Sequence, residues 1–434
     1  MGHRTPLTAL VLLTLIKAPL LAGSSAAATR ILAGQLMTGE DTEVQSKVTL
    51  VVEGDQITAI EPGFNRGSNA DEVIDLSTAF VTPGWIDMYV HIISQNSPGT
   101  QLERFTRDPI DNAYRSVQYA ALTLETGVTT IRNLGSRDGL GLAIRDAIDA
   151  GHIRGPRIFA AGQSIATTDG HADPTNGRRR DLTIDAGPAM GVINGTDEAR
   201  KAVRQRYKEG SDLIKITATG GVLSQARSGQ NAQFTVEEVQ EIVRTARDYG
   251  FRVAAHAHGT EGLLRAVEGG VDSIEHGTYM SDAVIRAMKQ RGTWYVPTIS
   301  AGRFVGEKAK IEGYFSDIVR PKAAAIGPQI QNTFARAYKA GVNIAFGTDC
   351  GVCPHGSNWQ EFVFMVEAGM PIEEAIVAAT RDAATLLGQS DRLGTLSVGK
   401  LADIVAVPSD PRQDVQVMGQ VMFVMKNGKV EKRG

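Results

Sequence analysis

The chain has 434 residues, 42% of them hydrophobic and 21% charged, which is enough apolar material for a large core and excludes a disordered chain. Lys and Arg number 45 against 48 Asp and Glu, a formal net charge of -3, and with the signs dispersed no basic stripe recommends a nucleic-acid partner. A small-molecule or dipeptide substrate is the default that remains.

Residues 1–28 read as a signal peptide. Arg4 supplies the positive n-region, residues 7–21 are mostly apolar, and Ser25-Ala26-Ala27-Ala28 offers small residues for cleavage. An exported protein, periplasmic or secreted, is the consequence; a buried N-terminal helix is the alternative. Lys17 and Pro19 interrupt the apolar run, which argues against a spanning helix of about 20 apolar residues. No later segment approaches that length, so no membrane span is expected in the mature chain.

Residues 29–79 carry short β-branched runs, "RILAGQLMTG" and "SKVTLVVEGDQITAIEPG", punctuated by Gly and Pro. The C-terminal stretch 396–434 has the same character, with Asn427-Gly428 as a turn signal. Two β segments at opposite ends of a chain can complete one small β domain together. Between them, residues 80–395 alternate strand-like runs with helical patterns, the sign of βαβ units and a parallel sheet. The eight strand-like runs are "FVTPGWIDMYVHI", "GVTTIRNLG", "PRIFAAGQSI", "DLIKITATGG", "FRVAAHAHG", "VDSIEHG", "GTWYVPTIS" and "VNIAFGTDCG". Eight such units within about 320 residues fit a closed (β/α)8 barrel better than an open sheet, and no G-x-G-x-x-G follows the first strand. The expected fold class is α/β: a (β/α)8 TIM barrel with a small β-sandwich domain built from both ends of the chain. The two cysteines, Cys350 and Cys353, are too few for a disulfide framework; a loop disulfide and free thiols are both open.

Polar residues gather where a barrel builds its active site, at the C-terminal ends of strands. His91 ends the first, Lys215 lies in the fourth, His256 and His258 end the fifth, His276 the sixth and Asp349 the eighth. Four of the eight histidines occupy these positions. Imidazole and carboxylate at converging strand ends supply ligands for zinc or a similar divalent ion, although any one strand-end His is more often a core or loop residue. Lys215 sits in an apolar strand, where an unpaired ammonium is costly. It is therefore neutral, paired with an acid, or converted to an anion. A lysine carboxylated by carbon dioxide would give a bridging oxygen pair suited to two cations about 3.5 to 4 Å apart.

These residues resemble the amidohydrolase superfamily. "FVTPGWIDMYVHI" is similar to its first-strand signature, "IKITATGG" to its metal-bridging lysine strand, "VAAHAHG" and "IEHG" to its fifth and sixth strands, and "FGTDCG" to its eighth. The likeness continues through "RDAATLLGQSDRLGTLSVGKLADIVAV" and covers nearly all of residues 30–434. Within the superfamily the sequence most resembles the prolidase-like branch of Xaa-Pro dipeptidases, carboxypeptidases and ochratoxin-degrading amidases. The resemblance implies two divalent metal sites, zinc being expected. It makes His91 the second His of the first-strand H-x-H pair, Lys215 the carboxylated bridging ligand, and His256 and His276 ligands of the second metal. Asp349 becomes both a metal ligand and the catalytic proton shuttle. His171, His258 and His355 fall in loops where relatives bind substrate.

Tyr89 stands where the first His of the pair is expected, beside the site and against the substrate. A phenol with a reference pKa near 10 is a poor ligand unless a metal draws off its proton, so the more exposed metal site should be weakened. The chain is then a natural variant with an altered site or a substituted, impaired enzyme; a phenolate ligand is the less favoured reading. The function expected is hydrolysis of the amide bond of a small dipeptide or N-acyl amino acid, possibly an ochratoxin-like amide, through a metal-activated water. A non-catalytic ligand-binding barrel has no use for Lys215, His256, His276 and Asp349 together. A cyclic-amide hydrolase or deaminase is a second alternative on the same scaffold, and deaminases of the superfamily usually lack the lysine. A homo-oligomer is expected, with no segment that fixes its order.

Overall fold

Short β-branched runs form strands at both ends of the chain because pleated, half-buried surfaces favour such side chains. The computed structural model describes residues 1–2 and 27–434, so the signal-peptide expectation falls almost wholly outside the described residues. The first strands are β1 (Thr29–Met37), β2 (Val44–Glu53), β3 (Gln56–Pro62) and β4 (Glu72–Pro83). A middle series follows: β5 (Trp85–Val90), β6 (Val128–Asn133), β7 (Arg157–Ala160), β8 (Ile214–Thr217), β9 (Val253–Ala257), β10 (Ser273–His276) and β11 (Trp294–Val296). The last three are β12 (Ile404–Val407), β13 (Phe423–Lys426) and β14 (Lys429–Arg433).

Among the described residues the two ends of the chain share one seven-stranded sheet, ordered β14-β13-β12-β4-β1-β2-β3. It is mostly antiparallel, with β1 and β4 parallel. Its buried residues Ile31, Leu50, Val81, Ile404 and Phe423 belong to one apolar cluster, so strands distant in sequence curl over a common core. The β13–β14 hairpin turns at Asn427 and Gly428, both with positive φ (50° and 71°), the backbone a two-residue type I′ turn requires and the reason Asn-Gly marks it in the sequence.

The middle strands are parallel and form sheets β5-β6-β7 and β8-β9-β10-β11. Every residue of β5, β6, β8, β9 and β10 is buried, as expected of a parallel sheet covered on both faces. Helices pack outside it. The helix Val236–Asp248 starts with a capping box between Thr235 and Glu238 and buries Val239, Ile242, Val243 and Ala246, one apolar stripe at helical spacing. Seven of the eight expected runs thus supply regular parallel strands. The first divides at Gly84, its N-terminal part joining the seven-stranded sheet as the end of β4.

The eighth run forms no regular strand. Backbone hydrogen bonds nonetheless lace it between β11 and β5, from Tyr295 N to Asn343 O (2.8 Å), Met88 N to Phe346 O (2.9 Å) and Asp349 N to Tyr89 O (2.7 Å). On the other side Asp212 N donates to Ala160 O (2.9 Å) and Ile165 N to Lys215 O (2.8 Å). The ladder is interrupted because the chain must bend here: a Cβ at Gly347 would lie 2.3 Å from Val296 Cγ1, and Asp349 has φ 58°.

A buried carboxyl replaces the missing ladder. Asp87 on β5 accepts hydrogen bonds from Tyr89 N (3.0 Å), Thr348 N (3.0 Å), Thr348 Oγ1 (2.6 Å) and Asn358 Nδ2 (2.8 Å). Burial nevertheless pushes its pKa from 3.8 up to about 6. The folded protein therefore holds this proton more tightly than the unfolded chain, and the stability linked to it falls as pH rises through that interval. Asp87→Asn turns one acceptor into a donor facing other donors. It should cost about 1 to 3 kcal/mol in denaturant unfolding and remove that part of the pH dependence. A variant as stable as the parent at both ends of the interval would show that Asp87 does not hold the segment.

Candidate active site

Three strand ends and the eighth segment converge on one cavity. Tyr89 and His91 come from the end of β5, His256 and His258 from the end of β9, and His276 closes β10. With His171 and Asp349 they line the cavity, whose other wall is apolar and includes Val222, Leu223, Val305, Ile326 and Ile330. His276, Thr298 and Asp349 all have positive φ (71°, 52° and 58°), a conformation that costs non-glycine residues energy and concentrates at functional sites.

Hydrogen bonds fix which face of each ring points inward. His258 Nδ1 bonds Thr278 Oγ1 and His276 Nδ1 bonds Thr298 Oγ1, both at 2.8 Å, so the Nε2 atoms of these two rings are left for the cavity. Their rings stack with centroids 4.7 Å apart, and His256 meets His276 edge-on at 4.7 Å. His256 Nε2 lies 3.0 Å from Gly220 O, and the His171 ring stacks on His256 at 4.4 Å. His91 Nε2 stands 3.4 Å from Asp349 Oδ1, while His91 Nδ1 is 3.2 Å from Gly135 O.

Burial sets the charge states. It draws the pKa of His91 down to about 4 and those of His171 and His258 to about 3, and it holds His256 and His276 well below the usual imidazole range. These rings are neutral at pH 7, so their free nitrogens carry lone pairs. Burial pushes the Asp349 carboxyl well above the usual carboxylate range, with nearby Lys215 opposing the shift. The donor set fits a divalent cation: His256, His258 and His276 each bring one ligand atom to within 4.8 Å of the others, and Asp349 Oδ1 is buried beside them without a hydrogen-bond partner. Neutral imidazole and carboxylate are the ligands such ions take.

Lys215 is set behind this surface. Its amine lies 4.0 Å from the centre of the Tyr89 ring and 3.8 Å from Glu275 Oε2, near enough to attract the carboxylate and too far for a hydrogen bond. Neither atom has a hydrogen-bond partner. Burial draws the lysine pKa down to about 8. Glu275 Oε1 accepts from Arg132 at 2.8 Å and from Ser273 Oγ at 2.6 Å. Arg132 also donates to Met88 O (2.7 Å) and Ser273 Oγ (3.1 Å). This fully buried group ties β5, β6 and β10 beneath the site.

Of the residues picked out in the sequence, Tyr89, His91, His171, His256, His258, His276 and Asp349 are thus brought together, and Lys215 lies against the Tyr89 ring outside the cavity lining. His355 is not brought to it. Its ring stacks on Tyr119 at 4.6 Å, and its Nε2 lies 2.9 Å from Ser94 O, because the segment after Asp349 turns back toward the loop that follows His91. The sulfurs of Cys350 and Cys353 are joined as a disulfide in that segment. Asp87, Arg132 and Glu275 were missed, although each is a charged residue inside an apolar strand, the signal that singled out Lys215. The supporting Thr278 and Thr298 carry no comparable signal.

A cavity of neutral imidazoles and a protonatable carboxyl at the ends of parallel strands has the groups that metal-assisted hydrolysis requires. Residues 80–430 match the amidohydrolase family. Over 459 aligned residues the chain is 30% identical to an ochratoxinase of Aspergillus niger, covering 97% of this chain and 91% of the relative. A crystal structure of a Xaa-Pro dipeptidase with methionine bound in its active site is 50% identical, with a TM-score of 0.92 over 94% of this chain and all 100% of that one. A prolidase complexed with N-methylphosphonate-L-proline is 28% identical, with a TM-score of 0.85 over the same 94% and 100%. The chain belongs to the amidohydrolase family, in its prolidase-like branch. It is a hydrolase of amide bonds.

The Arg132–Glu275 pair makes a measurable demand. Arg132→Met leaves a desolvated carboxylate with only Ser273 Oγ bonded to it, and a loss of about 3 to 5 kcal/mol is expected in chemical denaturation. Pairing the change with Glu275→Leu should recover part of it. A double variant less stable than the single one would mean that packing, and not charge pairing, governs this position.

Proposed function

We propose that this protein is a metal-dependent amidase that releases the C-terminal amino acid from a small dipeptide or N-acyl amino acid, with zinc as the resident ion. The observation that carries the reading is that neutral His256 and His276, with His258 stacked on His276, line one cavity with the His91–Asp349 pair. The methionine and the prolyl phosphonate bound by the two structural relatives support a ligand of amino-acid size. The backbone links on both sides of the parallel sheets support a closed (β/α)8 barrel around it.

His256 and His276, with His91 and Asp349, would hold the metal. When bound there, such a cation would polarise an amide carbonyl and make water a better nucleophile at neutral pH. The chain supplies the rest. Asp349 can take the proton released by the attacking water and hand it to the departing amine, which leaves badly as an anion. His171 and His258 line the cavity where the substrate carboxylate would lie, favouring cleavage next to a free C-terminus. The amine of Lys215, lowered toward neutrality and without a hydrogen-bond partner, is suited to react with carbon dioxide, giving a carbamate and a proton when a cation is present to balance it. Tyr89 offers no imidazole nitrogen, and burial raises its pKa further, so the site it borders is weakened.

Purified protein should accordingly contain zinc at fewer than two equivalents per chain by elemental analysis, and Tyr89→His should raise that value. The metal-loaded chain should show the added mass of a carbamate on Lys215 that disappears on acidification. Protein that takes up no metal when zinc is added would sink the metal-dependent reading. An unmodified lysine in fully loaded protein would remove the bridging role alone.

Asp349→Asn should lower kcat at least about 100-fold on an N-acyl amino acid with only a modest change in calorimetric affinity, in the parent or the Tyr89→His background. Full turnover by that variant, or hydrolysis of phosphate esters with no amide cleavage, would overturn the mechanism.

A further inference from the structure

The apolar wall of the cavity is tied together by its own packing and by one amine. The helix Arg320–Lys339 places Ile326 and Ile330 in that wall and, one turn earlier, aims Lys322 at the loop between β8 and the helix Val236–Asp248. Lys322 Nζ donates to Gly221 O at 3.2 Å, Ser224 O at 2.8 Å and Ala226 O at 2.8 Å. Three carbonyls of one short loop use all three of its donors.

The loop so held faces the site twice. Val222 and Leu223 form part of the apolar wall opposite the imidazoles, and Ser224 Oγ bonds His171 Nδ1. The His171 ring then rests on Gly221, where a Cβ would lie 2.2 Å from a ring carbon, and stacks on His256. The base of the loop is paired, with Thr219 bridged to Ala232 and Gly220 N donating to Asn231 O at 3.1 Å, while residues 221–231 carry no regular secondary structure, so no backbone ladder fixes its tip. The Lys322 bonds, together with the packing of Val222 and Leu223 on the Val305 and Ile326 cluster, set the distance of that tip from the helix.

We infer that Lys322 is a positioning residue for substrate selection: it sets the wall of Val222 and Leu223 against Ile326 and Ile330, and so favours amides bearing a bulky apolar group over small ones. This rests on the amidase reading. An apolar pocket gains affinity only from groups that reach its walls, so displacing one wall penalises a large group and spares a small one. A lysine that merely braced the fold would affect both alike.

The test compares the parent with Lys322→Met, using N-benzoyl and N-acetyl forms of one amino acid and hydrogen exchange of the loop amides. Exchange across residues 221–230 should quicken, because local opening is set by local contacts. The kcat/KM ratio of benzoyl to acetyl substrate should fall about tenfold, mainly through KM. Unchanged exchange overturns the inference, and so does a loosened loop with an unchanged ratio. If Lys322→Met does not fold, Lys322→Gln, which can still satisfy two of the carbonyls, carries the same comparison with a smaller expected drop. If neither the parent nor its Tyr89→His form cleaves either amide, the amidase reading fails by itself, and the ratio is read instead from calorimetric affinities for the same two compounds.

Discussion

Arg132 and Glu275 are buried together, 2% and 0% exposed at their side chains, and the interior beneath the cavity is arranged around them. A guanidinium in such a place is tolerated only with its donors engaged, and here they reach Met88 O, Ser273 Oγ and Glu275. The pair is not a large source of net stability, since desolvation offsets much of the Coulombic gain. Its effect is geometric. It joins β5, β6 and β10 in one register, and the site residues His91 and His276 leave the ends of two of those strands.

Above this charged layer the chain accepts local strain. His276, Thr298 and Asp349 adopt left-handed backbone, and Thr298 spends its hydroxyl on orienting His276. Each such conformation costs on the order of 1 to 3 kcal/mol and persists only where its surroundings leave no alternative. The surroundings here are the Asp87 bonds to Thr348 and Asn358 and the close passage of Gly347 past Val296. The irregular eighth segment is therefore held by buried polar bonds where its neighbours are held by a strand ladder. That arrangement turns Asp349 into the cavity beside His91.

Much of this was legible in the sequence for an identifiable reason. Apolar runs bounded by Gly marked the parallel strands, and polar residues at their ends marked the cavity, because a buried strand has few physical reasons to end in histidine. What stayed hidden was angular. Sequence position placed His355 close to Asp349, yet the turn through Cys350 and Gly351 sends it to Tyr119. Lys215 was rightly suspected as a buried charge, but its nearest acid, Glu275, stood in plain view next to His276 without being connected to it. Arg132 completes a triad that only the folding of three separate strands assembles. The eighth run read as a strand because its apolar pattern is strand-like, and left-handed backbone at an aspartate leaves no trace in such a pattern.

Charge balance makes Lys215 and any cation in the site interdependent. As an ammonium, Lys215 is drawn to Glu275 Oε2 and to the face of the Tyr89 ring, a contact worth about 2 kcal/mol where water is excluded. A carbamate in the same place would be a second anion near Glu275, acceptable in a low-dielectric interior only with positive charge close by. In the proposed reading the lysine would be cationic without a metal and anionic only with one. Tyr89 acts on both sides of that exchange. It withholds the nitrogen that a histidine would contribute, its buried phenol resists ionisation, and its ring stabilises the ammonium form of its neighbour. In the proposed metal site, a tyrosine at the end of β5 would thus disfavour metal binding through the imidazole nitrogen it lacks and through the lysine it contacts.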